Sequence, residues 1–328
     1  MQLSLVHLVK NFGEKEVLRD VTFGAEGGRA MGLLGRNGAG KTTSIRIIMN
    51  VFPPDRGEVL LDGRPLRHSK IRIGYMPEEK GLYPKIKVKD QLTYLAELRG
   101  LSRRDAKAAV ALWLDRLEMG EYLDKKLETL SKGNQQKIQL AVALLADPEI
   151  VILDEPFSGL DPVNSQLLKD VVNEQVALGK IVLFSSHQMN YVETFCDDLA
   201  LLHGGEIVLH GNIREIKRRY PRNRISISLS DGSGNQAWPA ARIHDWLQEL
   251  TRETSRLQMI IAAIEQDEEQ CRIVLRQDDQ RDQLLQELVR VQAPLEQFSI
   301  VEPTLEDIFI EKTGDGPDSL ANGEGGKA

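Results

Sequence analysis

The run Gly35-Arg36-Asn37-Gly38-Ala39-Gly40-Lys41-Thr42 fits the spacing G-x-x-x-x-G-K-[ST] and continues into Thr43. The chemistry that this spacing serves is the holding of a phosphate. Glycines let a backbone wrap closely round a bulky anion without Cβ clashes. The amides so freed point inward as donors. A helix that follows adds its own unpaired N–H groups and the positive end of its dipole. In such a loop Lys41 reaches the β- and γ-phosphates and the Thr42 hydroxyl ligates Mg2+. A plain glycine-rich turn between a strand and a helix is the alternative, and the flanks argue for the phosphate loop. Ala30–Leu34 is a short apolar run, and Ser44–Val51 carries Ile45, Ile47, Ile48 and Val51 at roughly helical spacing.

Three further residues extend the chemistry. "VILDEP" puts Asp154 and Glu155 at the end of an apolar run, Ile150–Leu153. Beside a phosphate loop, Asp154 is placed to hold Mg2+ and Glu155 to polarise an attacking water as a general base. His187 ends the next such run, in "FSSH", where an imidazole can hydrogen-bond the γ-phosphate and that water. A solvated strand-end histidine is the alternative for His187, and the company of the two acids favours function. A second polar turn, Ser131-Lys132-Gly133-Asn134, opens a segment with Ile138, Leu140, Ala141, Leu144 and Leu145 at helical spacing. Its helix N-terminus is either another anion site or a simple N-cap.

The elements that must position these groups alternate. Leu3–Val9, Val17–Phe23, Gly57–Gly63 and Ile71–Glu79 read as strands, the third ending in an Asp-Gly turn. Residues Val88–Leu117 read as helical with an interruption at Gly100-Leu101-Ser102, Ser102 being the N-cap of the second part. Pro148–Phe157 and Lys180–His187 read as strands of a parallel sheet buried on both faces, and Leu199–Gly211 as a hairpin. This predicts an α/β domain with a mostly parallel central sheet. The composition changes near Tyr220-Pro221. Beyond it come a strand from Arg224, a helix over Ala240–Leu250, an ambiguous stretch Leu257–Ile264, a strand at Cys271–Arg276, a helix over Asp278–Val291 and a strand at Leu295–Val301. That order predicts a small α+β domain of ferredoxin-like type. The expected division is residues 1–217, 220–312 and a polar tail, 313–328, of disordered composition.

Composition sets bounds. A chain of 328 residues suits two domains at about 100–200 residues each. The formal net charge of -7 gives no basic field to attract nucleic acid or anionic lipid. The local exception, "KRRYPRNR" over Lys217–Arg224, reads as a charged helix end and a solvated linker. Two cysteines, Cys196 and Cys271, suggest neither a zinc site nor a disulfide framework and fit a reducing compartment. The opening "MQLSLVHLVKNFGEKE" lacks the pattern of a secretory signal, and no apolar run approaches the roughly 20 residues that span a bilayer.

Taken together, these segments resemble the ATP-binding-cassette (ABC) ATPases. Gly35–Thr42 is similar to their Walker A, "VILDE" to their Walker B and "LSKGNQQ" to their signature motif. "SGLDP" over Ser158–Pro162 is similar to their D-loop, and His187 to their switch histidine. The order is the family's over about the first 215 residues. The resemblance implies a P-loop cassette with a helical subdomain, ATP and Mg2+ as ligands, and Phe12 stacked on adenine, ordinary core burial being the alternative for that ring. It also implies two cassettes closing face to face. Ser131, Gly133 and Asn134 of one then cover the nucleotide of the other, and Asp161 couples the two sites. The second cassette is another copy or a paralogue. Two positions depart from the pattern: Lys132 adds a positive charge to the signature turn, and Glu78 stands where a glutamine is usual, near Mg2+. "MPEEKGLYP", "LSKGN" and "VEPTLEDIFIEKTG" resemble the separate ATPase subunits of bacterial exporters, including the sodium-extrusion type. The implied setting is the cytoplasmic face of the membrane, bound to a polytopic permease. A soluble ABC ATPase acting on ribosomes or nucleic acid is the alternative. One cassette, no long heptad insert and the acidic balance disfavour it, so no nucleic-acid partner is expected. The intact Lys41, Asp154, Glu155 and His187 disfavour a regulatory module without hydrolysis.

Overall fold

The computed structural model describes residues 1–79, 81–157, 160–231, 237–266 and 270–313. Ser158 and Gly159 of the expected D-loop, and the expected tail beyond Thr313, lie outside the described residues. The described chain divides into two compact units, one of Met1–Arg214 with Ile310–Thr313, the other of Glu215–Phe309.

The first unit opens with strands β1 (Gln2–Phe12) and β2 (Lys15–Glu26), a hairpin turned at Gly13. β1 does not alternate cleanly. A bulge at His7, with φ 52°, shifts the register between Leu5 and Leu8, so that Leu3, Leu5 and Leu8 all face inward. β3 (Ala30–Leu34) is buried along its length and leads through the glycine loop into α1 (Lys41–Ile48). β4 (Arg56–Leu61) and β5 (Arg64–Pro65) close the sheet β2-β1-β4-β5, and the turn between them has positive φ at both Asp62 and Gly63. After β6 (Ile73–Met76) come the helices α2 (Val88–Leu98), α3 (Arg103–Arg116) and α4 (Lys132–Leu144). The break between α2 and α3 falls where the sequence expects it: Gly100 has φ 90° and the Ser102 hydroxyl accepts from the Asp105 amide.

The strand β7 (Ile150–Asp154), α5 (Pro162–Ala177), β8 (Ile181–Ser186), α6 (Met189–Phe195), β9 (Asp198–His203) and β10 (Glu206–Asn212) complete this unit. The central sheet has the order β10-β9-β3-β8-β7-β6, parallel from β9 to β6, with β10 antiparallel at the edge. α1 lies in one core with both sheets, burying Ile45, Ile47 and Ile48 beside Leu3, Phe23, Leu33 and Ile152. Because β3, β7 and β8 are parallel neighbours, their C-terminal ends open on one edge, where α/β sheets place their ligands.

A short helix, α7 (Ile213–Arg218), precedes the strand β11 (Arg224–Leu229) of the second unit. α8 (Ala240–Glu253), α9 (Ser255–Ile260), β12 (Ile261–Gln266), β13 (Cys271–Leu275), α10 (Arg281–Arg290) and β14 (Leu295–Val301) follow. The stretch Leu257–Ile264, ambiguous in sequence, is divided between the end of α9 and the start of β12. The sheet order is β12-β13-β11-β14, antiparallel throughout. This is the ferredoxin-like arrangement that the sequence order predicts, with α9 added. Alternation in β11 and β13 sends Ile225, Ile227, Leu229, Cys271, Ile273 and Leu275 into a core closed by Leu247 of α8 and Leu284 and Leu288 of α10. α11 (Leu305–Thr313) ends the described chain. No helix among the described residues is long and apolar enough to cross a membrane.

Candidate nucleotide site

At the C-terminal end of β3 the chain turns through Gly35–Gly40. A Cβ on Gly35 would lie 2.4 Å from the Leu202 carbonyl oxygen. One on Gly40, whose φ is 113°, would lie 2.5 Å from Leu18 Cδ2. Both positions therefore demand glycine. No side chain caps the N-terminus of α1 and no acid occupies its first turn, so its leading amides are available to an anion. Lys41 is buried, its ammonium donating to the Gly35 carbonyl at 2.6 Å and the Arg36 carbonyl at 3.3 Å. It stands 3.9 Å from Glu155 Oε1. Burial holds its pKa below the ordinary lysine value, against the pull of Glu155, Asp154 and Glu78.

A cavity of about 490 Å³ opens over the loop. Its lining brings together Arg36, Asn37, Gly38, Gly40, Lys41, Thr42 and Thr43 of the loop, Phe12 of the first hairpin, Glu78, and Asp154 and Glu155. Gly35 and Ala39 belong to the loop but do not line the cavity. Phe12 is 48% exposed, which rules out ordinary core burial for it. Its ring meets Phe52 edge-on at 5.4 Å, with Lys10 Nζ 5.7 Å from its centroid. Lys15 and Val17 also line the cavity and carry no motif that singles them out in sequence.

The acids arrive from β7. Asp154, in register with Ser185 of β8, accepts from the Ser185 hydroxyl and, at 3.4 Å, from the Tyr75 hydroxyl on β6. Burial raises the Asp154 pKa above the usual carboxylate range, with the Ser185 hydrogen bond opposing. Tyr75, pressed by its own burial and then by the Asp154 charge, is pushed up to about 12. Glu155 leaves the strand with φ 49° and is 6% exposed. Its Oε1 accepts from the His187 amide at 2.7 Å and lies 2.7 Å from His187 Nδ1, while Oε2 accepts from the Ser186 hydroxyl at 3.1 Å. His187 thus enters the site through Glu155. Glu78 is exposed on the cavity wall, yet partial desolvation there, followed by the charges of Glu155 and Asp154, raises its pKa.

The second polar turn stands apart. Ser131 is the exposed N-cap of α4, its hydroxyl accepting from the Asn134 amide at 3.2 Å. None of Ser131, Gly133 and Asn134 lines the cavity. α4 nevertheless touches the segments that build the site, Gln136 donating to the Pro156 carbonyl and Gln139 to the Glu79 carbonyl at 3.2 Å. Asp161 caps α5, its Oδ1 accepting from the Val163 and Asn164 amides, each at 3.0 Å, and it too lies off the cavity. Sequence reasoning passed over Tyr75, Ser185 and Ser186. The signal for the serines is two hydroxyls ending an otherwise apolar strand directly before His187.

Among the described residues no group of three or more metal-ligating side chains is pre-assembled. The oxygen donors Thr42, Glu78 and Asp154 share the cavity wall, a hard donor set that suits Mg2+.

The loop, the acid pair and the sheet that joins them recur in known proteins. A family described as ABC transporter matches residues 18–158, and one described as the C-terminal domain of DrrA1-3-like ATP-binding proteins matches residues 211–313. The chain is 40% identical over 313 residues to the ABC transporter ATP-binding protein YhaQ of Bacillus subtilis, covering 95% of this chain and 98% of that one. It is 33% identical over 215 residues to the Nod factor export ATP-binding protein I of Bradyrhizobium diazoefficiens, covering 64% and 70%. The structure of cbiO1 from Clostridium perfringens, part of the ABC transporter complex cbiONQ, matches with a TM-score of 0.57 at 25% identity, over 66% of this chain and 93% of that one. The chain belongs to the ABC transporter family, as an ATP-binding subunit that hydrolyses ATP in the service of transport.

Proposed function

We propose that residues 1–217 form a cassette that binds ATP between Phe12 and the glycine loop, pairs with a second cassette, and drives export through a separate polytopic permease at the cytoplasmic face of a membrane. Lys41 and the loop amides neutralise the β- and γ-phosphates, and Arg36, Asn37, Ala39 and Thr43 complete the cradle. Phe12 stacks on the adenine. Thr42 and Asp154, with Glu78, are the side chains for Mg2+, which when bound draws charge from the phosphate oxygens. Glu155 orients and deprotonates the water, and His187 bridges Glu155 to the γ-phosphate.

The observation that carries this reading is the convergence of Lys41 and Glu155, 3.9 Å apart, in one cavity floored by uncapped helix amides. Phosphoryl transfer asks mainly for positioning and charge neutralisation, and this wall offers both. The second cassette is proposed because Ser131, Gly133, Asn134 and Asp161 lie off their own chain's cavity. Export is favoured by the likeness to the Nod factor export protein, and a membrane partner by the likeness to cbiO1. Within the helical subdomain, α2 and α3 receive the cytoplasmic helix of the permease. The small domain, residues 220–312, stands outside the catalytic scheme and stabilises the pair.

The test is Glu155→Gln. The variant keeps the site's shape and removes its base, so hydrolysis falls to background while ATP binding persists. Turnover near the wild-type rate would remove Glu155 from its role.

A further inference from the structure

The two serines that end β8 demand an explanation. β8 reads Ile181-Val182-Leu183-Phe184-Ser185-Ser186, and Ser185 and Ser186 are 0% and 1% exposed. A hydroxyl buried without a partner is costly, and successive strand residues face opposite ways. Each nevertheless has an acid to meet, because the acids on β7 advance in step. Asp154 is the register partner of Ser185, and Glu155 follows it, its amide donating to the Ser185 carbonyl at 3.0 Å. The Ser186 hydroxyl oxygen accepts from the Gln188 amide at 3.0 Å, which commits its proton to Glu155 Oε2 at 3.1 Å. Oε1 is held by the His187 amide at 2.7 Å. Both oxygens of the acid are thereby fixed from one strand end.

We infer that Ser186 is a positioning residue for ATP hydrolysis, fixing the Glu155 carboxylate toward the attacking water through its buried hydroxyl, while Ser185 holds Asp154 in the same manner. The inference rests on Glu155 being the base. The Glu155 backbone, in the left-handed region, does not by itself fix the carboxylate, and without Ser186 Oε2 has no donor from the strand. A carboxylate held through Oε1 alone can swing Oε2 out of its alignment with the water, which a reaction dependent on near-attack geometry feels strongly.

The experiment compares Ser186→Ala, Ser186→Thr and Ser186→Cys with wild type and with Glu155→Gln in the full chain. Steady-state ATPase rates, binding of a fluorescent ATP analogue and thermal midpoints are read for each. Ser186→Ala is expected to lower kcat roughly 10- to 100-fold with KM and analogue binding unchanged. Either Ser186→Thr or Ser186→Cys restores much of the rate. A wild-type kcat in Ser186→Ala overturns the inference. So does a loss of analogue binding in parallel with the midpoint, which marks a merely structural role, or a rate that neither replacement recovers. If Glu155→Gln itself stays active, the base assignment has failed. If Glu155→Gln is dead and Ser186→Ala is not, only the role of Ser186 has.

Discussion

Glu78 puts a third carboxylate into a cavity that already holds Asp154 and Glu155 against a single buried ammonium. Lys41 is held below its ordinary pKa, and Asp154 and Glu78 above theirs, so each of the three is biased toward its neutral form in the ligand-free site. Such a site gains from any cation it admits. For Glu78 the sign of the stability effect follows from linkage. Its pKa is raised on folding from 4.5, so native and unfolded chains both hold the proton at low pH and the side chain then behaves like a glutamine. As pH rises past that value the unfolded chain ionises first, and folded stability is lost until the native group has titrated too. Wild type and Glu78→Gln should therefore melt alike in acid, and the variant should melt higher toward neutral pH. Differential scanning fluorimetry across that range checks it, and an unchanging gap between the two midpoints would contradict the electrostatic account. The identity of Glu78 was legible in sequence as a departure from a familiar pattern. Its electrostatic consequence was not, because that depends on burial and on which acids share the wall.

Between residue and molecule, the element that matters most is α6, which follows directly on His187-Gln188. Two contacts seat it. Toward the sheet, β3 carries Gly32, where a Cβ would lie 2.5 Å from Val192 Cγ1 and 3.1 Å from Cys196 Sγ. On another side Phe157, two residues past Glu155, stacks on Phe195 at 4.1 Å and on Tyr191 at 5.0 Å. The helix that follows His187 is thus packed on the segment that follows Glu155. Gly32→Ala should push α6 outward against the aromatic stack. Overpacking of this kind costs about 1–3 kcal/mol, and the shift should reach His187 and slow hydrolysis. Chemical denaturation together with kcat measures both, and a variant with unchanged stability and rate would show that α6 is not seated this way. β3 reads in sequence as a short apolar run in the place of the strand before the glycine loop, and a strand is what forms there. Nothing in "AMGLL" says that its glycine is the place where a helix comes close, since that is a property of two segments about 160 residues apart. The bulge at His7 and the helix-to-strand change at Ile260-Ile261 escaped sequence reading for the same reason: local pattern is overridden by a partner strand.

At the scale of the whole molecule, two helices open on polar, glycine-bearing turns, α1 and α4, and of these two only α1 faces the cavity described above. The loop before α1 has lysine, glycines and acids around it. The turn before α4 has an exposed Ser131 whose hydroxyl is occupied with capping. Both ends were legible in sequence, since each is a short contiguous motif. Their separation was not, because it depends on how three parallel strands gather one motif and leave the other on a different helix. In the pairing proposed above, a second copy would supply what a single chain leaves unmet, its turn closing over the nucleotide. Ser131→Asp separates capping from contact. Aspartate caps a helix about as well as serine, so α4 and the fold should survive, with ATP binding by the single subunit retained. Across the proposed interface the new carboxylate would instead oppose a triphosphate, a like-charge encounter costing several kcal/mol. In the Glu155→Gln background, light scattering after gel filtration with Mg-ATP should find dimers, and adding Ser131→Asp should return them to monomers. With Glu155 intact, Ser131→Asp alone should lower hydrolysis at least about tenfold. Dimers that persist with Ser131→Asp would mean that the turn faces solvent, and that the pairing, if it occurs, uses another surface.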